Sequence, residues 1–451
     1  MEAISSLERV LGLLHGNPFT NDYVARWQEY SDANLLPPRG APSDRWIAWY
    51  RDTRTKVTES LGGAFMEHLG VGLAAGVGLQ ATSTTDDHTG LKELGRSEGV
   101  GEGELELAAR ATKVTRSLRG TAGSSEPMRE VRRLAWAASF GESLHRVSEL
   151  QDMIRRTPVL IQGETGTGKE LIATAIGFSQ PGYWSDGWTR SPYEPLHLGS
   201  IPSELVADAL FGHEKGAFSG AEKEAAGALE RCHGGAVFLD EIAELPHKTQ
   251  VALLRCLQEG KVRRLGAQEL TEAAPRLISA THEDLDRAVA ENEFRADLLQ
   301  RIRSVEIVIP PLRERLEDLS ELVEKLLMTE TTASSRGHLR TRVMTFIEGP
   351  ARDYEWPGNV RELAAAIRSL SLGIQPRLRK STGDTGSRSR FGPSQSPTLE
   401  VLAARGLSLR EVERQYAQEA VAQAATKKEA SNRLGIAPAT LRNLLRESGD
   451  A

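Results

Sequence analysis

Apolar positions divide the chain into stretches of different period. Near the start, Leu7, Val10, Leu11 and Leu14 follow the spacing of one helix face, with Ser5 or Ser6 as the cap. From about residue 130 to 375, short apolar runs alternate with helical patterns. Pro158 to Ile161, Leu196 to Leu198, Ala236 to Leu239, Leu277 to Ala280 and Val305 to Ile309 are the expected strands. Strands separated by helices predict a parallel sheet with helices on both faces. The end of the chain, 398–451, is helical in pattern throughout. Ala81 to Ser125 and Gln375 to Pro397 combine Gly, Ser, Thr and charge with few large apolar residues, so they read as linkers. Residues 1–80 hold Trp27, Trp46 and Trp49, enough apolar bulk to fold, and are assigned by position to a regulatory or sensory role. There is no internal repeat of fixed period.

Composition adds exclusions. With 451 residues, 39% hydrophobic and 26% charged, the chain is in the ordinary soluble range and long enough for two to four domains. Its most apolar run, Leu69 to Leu79, has 11 residues, far short of the ~20 that cross a bilayer. No membrane partner is expected. Glu2 and Glu8 stand where a secretory signal would be basic. The two cysteines, Cys232 and Cys256, give neither a disulfide framework nor metal-ligand spacing and read as buried thiols in a reducing cytoplasm. Net charge is −6, yet residues 376–451 carry 13 Lys or Arg against 8 Asp or Glu. That end has the sign suited to nucleic acid.

Two motifs carry chemistry. After Val159, Leu160 and Ile161 comes Gly163-Glu164-Thr165-Gly166-Thr167-Gly168-Lys169-Glu170, followed by a helical pattern through Leu171, Ile172, Ala173 and Ala175. Glycines there let backbone N–H groups turn towards phosphates. Lys169 adds a cation at the β and γ oxygens, and the helix N-terminus faces the same anion. Glu170 replaces the usual Ser or Thr that would offer a hydroxyl to Mg²⁺. Some 70 residues later, Gly234-Gly235-Ala236-Val237-Phe238-Leu239 ends in Asp240-Glu241. Two acids at the tip of a buried strand reach the edge where open α/β sheets bind ligands. Asp240 is the expected Mg²⁺ ligand and Glu241 the base that orients the attacking water.

Between these motifs lies Leu210-Phe211-Gly212-His213-Glu214-Lys215-Gly216-Ala217-Phe218-Ser219-Gly220-Ala221. This run resembles the signature of the AAA+ domain of sigma-54-dependent transcription activators, the bacterial enhancer-binding proteins. That family's loop reads Gly-Ala-Phe-Thr-Gly-Ala, so Ser219 is its one departure. The resemblance implies that Gly216, Ala217, Phe218, Ser219, Gly220 and Ala221 contact the sigma factor. Glycines on both sides of Phe218 permit a protruding tip. The resemblance extends through Gln250, Leu253, Leu254, Arg255, Leu257, Gln258, Glu259 and Gly260. It continues in Phe294-Arg295-Ala296-Asp297-Leu298-Leu299-Gln300-Arg301-Ile302, Pro310 to Arg315, and Trp356-Pro357-Gly358-Asn359-Val360-Arg361-Glu362-Leu363. It implies that Arg295 and Arg301 enter a neighbouring subunit's site as arginine fingers and that Arg361 senses nucleotide from a lid. Two positions depart: His282 replaces the usual sensor Asn, and His197 stands where an Asn would restrain the catalytic glutamate. Both retain hydrogen-bonding capacity.

At the end of the chain, Lys428-Glu429-Ala430-Ser431-Asn432-Arg433-Leu434-Gly435-Ile436 and Pro438-Ala439-Thr440-Leu441-Arg442-Asn443-Leu444-Leu445-Arg446 read as helix, turn, helix. Small residues allow close approach, Gly435 turns the chain, and Pro438 suits a first helical position. This part resembles the Fis-type domain that ends the same family, with Thr440, Arg442, Asn443 and Arg446 facing double-stranded DNA. The expected fold class is therefore α/β: an AAA+ P-loop parallel sheet at 130–310 and a helical lid at 311–375. A linker at 376–397, an all-α helix-turn-helix at 398–451 and a helical N-terminal region complete it. The resemblance implies an ATP- and Mg²⁺-dependent activator that binds upstream DNA, assembles into a hexamer, or a dimer when inactive, and remodels sigma-54 RNA polymerase. The rival reading is a DNA-binding regulator whose core only couples nucleotide to oligomerisation.

Overall fold

The computed structural model describes residues 102–180, 192–330 and 333–378, with short stretches between 13 and 53. The helix expected around Leu7, the helix-turn-helix with Thr440, Arg442, Asn443 and Arg446, and most of the 376–397 linker lie outside the described residues.

In the first stretches, α1 (Tyr23–Asp32) buries Tyr23 and Trp27. The next element, α2 (Glu102–Arg119), corrects the reading of 81–125 as a linker. Leu107, Ala111, Val114 and Leu118 recur every three or four residues, and the last three are fully buried. The stripe is easily missed because threonines and arginines surround its small members. α3 (Glu126–Phe140) starts at Ser125, whose Oγ accepts from the Met128 N–H, and stops at Gly141 in a positive-φ conformation. α4 (Val147–Arg156) leads into β1 (Val159–Gln162), which passes through the glycine loop into α5 (Lys169–Gly177).

Next come β2 (Tyr193–His197), α6 (Ser203–Phe211), the short antiparallel pair β3 (Gly212–His213) and β4 (Ala225–Ala226), and α7 (Ala228–Arg231). β5 (Ala236–Asp240) precedes α8 (His247–Glu259), which ends at left-handed Gly260. A small hairpin, β6 (Lys261–Val262) and β7 (Thr271–Glu272), interrupts the path to β8 (Arg276–Thr281). α9 (Leu285–Ala290) begins at Asp284, whose carboxylate accepts from the Asp286 and Arg287 N–H groups. α10 (Ala296–Ile302) and β9 (Val305–Val308) follow, then α11 (Leu319–Glu330), α12 (Ala333–Glu348) and α13 (Asn359–Ser371).

All five expected strands form one parallel sheet in the order β2-β5-β8-β1-β9. Alternation along each strand sends side chains to two cores. Val159, Ile161, Phe238, Ile278 and Ala280 pack under α2, α3 and α5, while Leu160, Val237, Leu239 and Leu277 pack under α6, α8 and α10. A third core lies among α11, α12 and α13 around Leu322, Val343, Phe346, Trp356 and Ile367, and Ala122 joins it. Fully burying each such large side chain stabilises by about 1.5–3 kcal/mol. The register sets the sheet's carboxyl edge: Asp240 pairs with His197 on one side and Ala280 on the other, and Thr281 pairs with Gln162. Among the described residues no helix is long and apolar enough to cross a membrane.

Candidate functional site

The carboxyl edge of the sheet opens into a cavity of about 610 Å³. Thr165 to Ile172 line one wall, His197, Asp240 and Glu241 another, and Val360, Arg361 and Ala364 of the helical region a third. Gly120, Thr121 and Ala122, just after α2, complete it with Leu322 and Leu326. Charged side chains such as Lys169, Asp240 and Glu241 share this lining with apolar ones such as Leu322 and Leu326, a mixture suited to a small polar ligand.

Lys169 is buried, and its Nζ donates to the carbonyl oxygens of Gly163 at 2.8 Å and Glu164 at 3.4 Å. It lies 3.9 Å from Oε1 of Glu241. Burial lowers its pKa, and the negative charges of Glu241 and Asp240 oppose that shift. The loop is also held from the helical side. Gly166 has φ of 83° and accepts from the Val360 N–H at 3.0 Å. A Cβ there would come within 2.3 Å of the Gly358 carbonyl oxygen, so glycine is required by both conformation and space. Glu170, in place of the usual hydroxyl residue, is exposed at the start of α5.

Asp240 and Glu241 each have a histidine partner. Nδ1 of His197 is 2.9 Å from Oδ2 of Asp240, and Nδ1 of His282 is 2.7 Å from Oε2 of Glu241. The expectation that His197 would restrain Glu241 is corrected: β2 register places His197 directly beside Asp240, while His282 leaves the tip of β8 next to the glutamate. Glu241 itself has φ of 56°, a left-handed conformation uncommon outside glycine. Among the described residues no group of three or more His, Cys, Asp or Glu could hold a metal unaided. Asp240 is the carboxylate that would hold a Mg²⁺, an ion for which protein supplies few ligands.

Arg361 lines the cavity, whereas Arg295 and Arg301 do not. Arg295 pairs with Asp297 at 2.7 Å, and Arg301 Nη2 donates to the Leu257 carbonyl oxygen at 2.9 Å. Gly216 to Ala221 also lie off the cavity. Their turn is closed by the Gly216 N–H donating to the Ala221 carbonyl at 2.8 Å, and Phe218 is 40% exposed at the tip.

Several residues of the site escaped the sequence reading. Asn359, fully buried with φ of 52°, accepts from the Leu312 N–H at 2.7 Å through Oδ1. Its Nδ2 donates to Glu164 Oε2 and the Thr165 carbonyl, both at 3.1 Å. Arg313 Nη2 pairs with Glu164 Oε1 at 2.7 Å, and this hydrogen-bonded pair holds the Glu164 carboxyl below its ordinary pKa. Arg315, also buried, donates to the Thr167 carbonyl at 3.3 Å. The matched runs containing Arg313, Arg315 and Asn359 offered a signal that these residues matter, but none for these contacts. The wall at 120–122 offered none beyond the helix stripe before it.

Residues 137–308 match the model of the sigma-54 interaction domain, and residues 313–376 match that of the AAA+ ATPase lid domain. A Nif-specific regulatory protein of Azotobacter vinelandii is 40% identical over 229 residues, covering 49% of this chain and 42% of that protein. The response regulator protein PilR of Pseudomonas aeruginosa is 35% identical over 300 residues, 65% of each. The DNA-binding transcriptional regulator NtrC of Proteus hauseri is 39% identical over 221 residues, 48% of this chain and 44% of that one. The matched stretch thus spans 42 to 65% of these relatives' own lengths. With both its core and its lid matched, and with the sheet, glycine loop and acidic tip arranged as above, the chain belongs to the sigma-54-dependent activator family of AAA+ proteins.

Proposed function

We propose that this protein hydrolyses ATP between subunits of a ring, as a hexamer, and uses the energy to press the Phe218 loop against sigma-54 RNA polymerase. The observation that carries this reading is the convergence of Lys169, Asp240, Glu241 and Arg361 on one cavity, with Phe218 exposed on a separate turn. Backbone N–H groups of Gly163 to Glu170 bind the phosphates. Lys169 exchanges its carbonyl partners for phosphate oxygens. Asp240 holds Mg²⁺, which neutralises charge on the phosphates, and Glu241 orients the attacking water. Arg361 reports occupancy to the lid.

Arg295 and Arg301 act from the neighbouring subunit, where a planar guanidinium stabilises the charge on the transferring group. In a single chain both are already engaged, with Asp297 and Leu257. Assembly must therefore release them, which makes turnover depend on the ring. Gly216, Ala217, Phe218, Ser219, Gly220 and Ala221 form the sigma-factor contact. Residues 398–451 bind upstream DNA in the cytoplasm through Thr440, Arg442, Asn443 and Arg446. Residues 1–80 supply regulation.

ATP turnover of Glu241→Ala and Arg301→Ala tests the mechanism. Glu241→Ala is expected to lose about 10²–10⁴-fold and Arg301→Ala about 10³-fold or more. Undiminished turnover in both removes it. A complex with sigma-54 trapped by a transition-state nucleotide analogue would separate remodelling from mere nucleotide-responsive oligomerisation.

A further inference from the structure

We propose that His213 is a positioning residue for Phe218: a doubly donating imidazolium that ties helix α6 to the far end of the loop and supports the aromatic tip. The inference deepens the reading of Phe218 as the contact residue and rests on it for its biological meaning. Its structural content is independent. His213 sits on β3, before the tip, and Asp208 lies five residues upstream in α6. Nδ1 of His213 is 2.6 Å from Oδ1 of Asp208, and Nε2 is 2.9 Å from the carbonyl oxygen of Lys223, on the other side of the tip.

A carboxylate and a carbonyl only accept. A neutral imidazole has one N–H and one bare lone pair, so it satisfies one of these partners and opposes the other. The protonated ring donates to both. Phe218 lies against this ring, with centroids 5.0 Å apart and planes at 67°. A contact of this kind is attractive where the imidazolium edge meets the Phe218 face. One ring therefore links the helix before the tip, the segment after it at Lys223, and the tip itself.

Neighbouring charges support the same state. The Asp208 hydrogen bond raises the His213 pKa above the ordinary histidine value, while the Arg264 charge works against it. Arg264 faces three carboxylates, those of Glu214, Glu224 and Glu230, which offset its effect. Arg231 on α7 also feels the Asp208 charge. Because the folded value is raised, the clamp is complete below the ordinary histidine pKa. It is lost as pH rises through the raised value. Above that pH one hydrogen bond has no proton, and Phe218 loses its charged support.

The experiment is fluorine NMR of the full chain labelled with 4-fluorophenylalanine. Ten phenylalanines give ten signals, and Phe218→Leu identifies the one at the tip. From about pH 5.5 to about pH 9.5, the Phe218 signal should shift with a midpoint above the ordinary histidine value and match the titration of the His213 imidazole. Asp208→Asn should move that midpoint down, Asp208→Glu should restore it, and His213→Gln should abolish the shift. A wild-type spectrum in which none of the fluorine signals shifts with pH overturns the proposal even if no variant folds. An unchanged titration in His213→Gln overturns it as well. Neither nucleotide nor sigma factor is needed, so an inactive ATPase would leave this result standing.

Discussion

Nδ1 of His282 lies 2.7 Å from Oε2 of Glu241, and the His282 backbone N–H donates to the same oxygen at 3.3 Å. Two donors from the tip of β8 thus fix the direction of a carboxylate whose own backbone is left-handed. His282→Ala removes one donor and frees the glutamate to rotate. A hydrogen bond to a charged group contributes about 1.5–3 kcal/mol, so kcat for ATP should fall about ten- to a hundredfold with KM little changed. His282→Asn, which can donate from nearly the same place, should recover most of the loss. His197→Ala should act differently, because its partner is Asp240. There the Mg²⁺ concentration needed for half-maximal turnover should change before kcat does. Steady-state rates at saturating and limiting Mg²⁺ distinguish the two histidines. Equal effects would refute the separate pairing.

Asn359 joins the helical region to the glycine loop through three hydrogen bonds: one accepted from the Leu312 N–H and two donated to Glu164 and Thr165. Asn359→Ala leaves the buried Leu312 N–H without an acceptor, a loss of about 1–3 kcal/mol. Its φ of 52° adds strain that asparagine tolerates better than alanine. Thermal unfolding should shift down by roughly 2–4 °C for each kcal/mol lost, and Asn359→Gly should be less damaged by strain alone. The Glu164–Arg313 pair adds a pH dependence. Since Glu164 titrates below its ordinary value in the folded state, the contribution is present above the unfolded carboxylate pKa. It is lost as pH falls through the folded value. Both partners are partly exposed, so the effect should be small and should shrink with salt. The acid limb of the melting curve in Arg313→Ala checks the sign.

Gly123 shows how tightly the segment before the sheet is joined to the helical region. A Cβ at this position would lie 2.5 Å from Oδ2 of Asp318, and its φ is 117°. Asp318 is fully buried and accepts from the Ser125 N–H at 2.8 Å and the Ser125 hydroxyl at 2.7 Å. Arg132 donates to the Gly123 carbonyl at 2.6 Å, and the Phe19 ring lies 6.0 Å from its guanidinium. Gly123→Ala must displace this network, and overpacking of that kind typically costs about 1–3 kcal/mol. Because Gly120, Thr121 and Ala122 form a wall of the cavity, the same variant should raise KM for ATP more than it lowers kcat. A loss confined to kcat would argue against this wall acting on nucleotide binding.

Legibility in the sequence followed the range of the interactions. The five strands were marked by local apolar runs, and the glycine loop and acidic tip by contiguous residue types. Asp240 and Glu241 are marked by position, and His197 and His282 by the resemblance, yet which histidine faces which acid is not. Register decides that His197 faces Asp240, and the chain's exit from β8 decides that His282 faces Glu241. Neither fact exists before the sheet is assembled. Asn359 stands 195 residues from Glu164, a contact no local pattern could reveal. α2 is a different case, because its stripe from Leu107 to Leu118 was present in the letters but masked by polar neighbours.

The two thiols are both buried. Burial pushes Cys256 up to about 12 and Cys232 up to about 11. Both side chains lie in the core beneath α6 and α8, and Cys256 Sγ donates to the Ala273 carbonyl at 3.5 Å. A thiol reacts as its thiolate, which at about pH 8 is scarce when the pKa is raised so far. Access is closed as well, so the thiolate fraction and the steric barrier act in the same direction. The folded protein should therefore react slowly with an aromatic disulfide reagent, and denaturation should release two equivalents at once, one for each of the two cysteines in the sequence. A substitution that loosens the core should accelerate labelling in proportion to the population that opens. Rapid reaction of either thiol in the folded protein would mean that the core beneath α6 and α8 opens far more often than its packing implies.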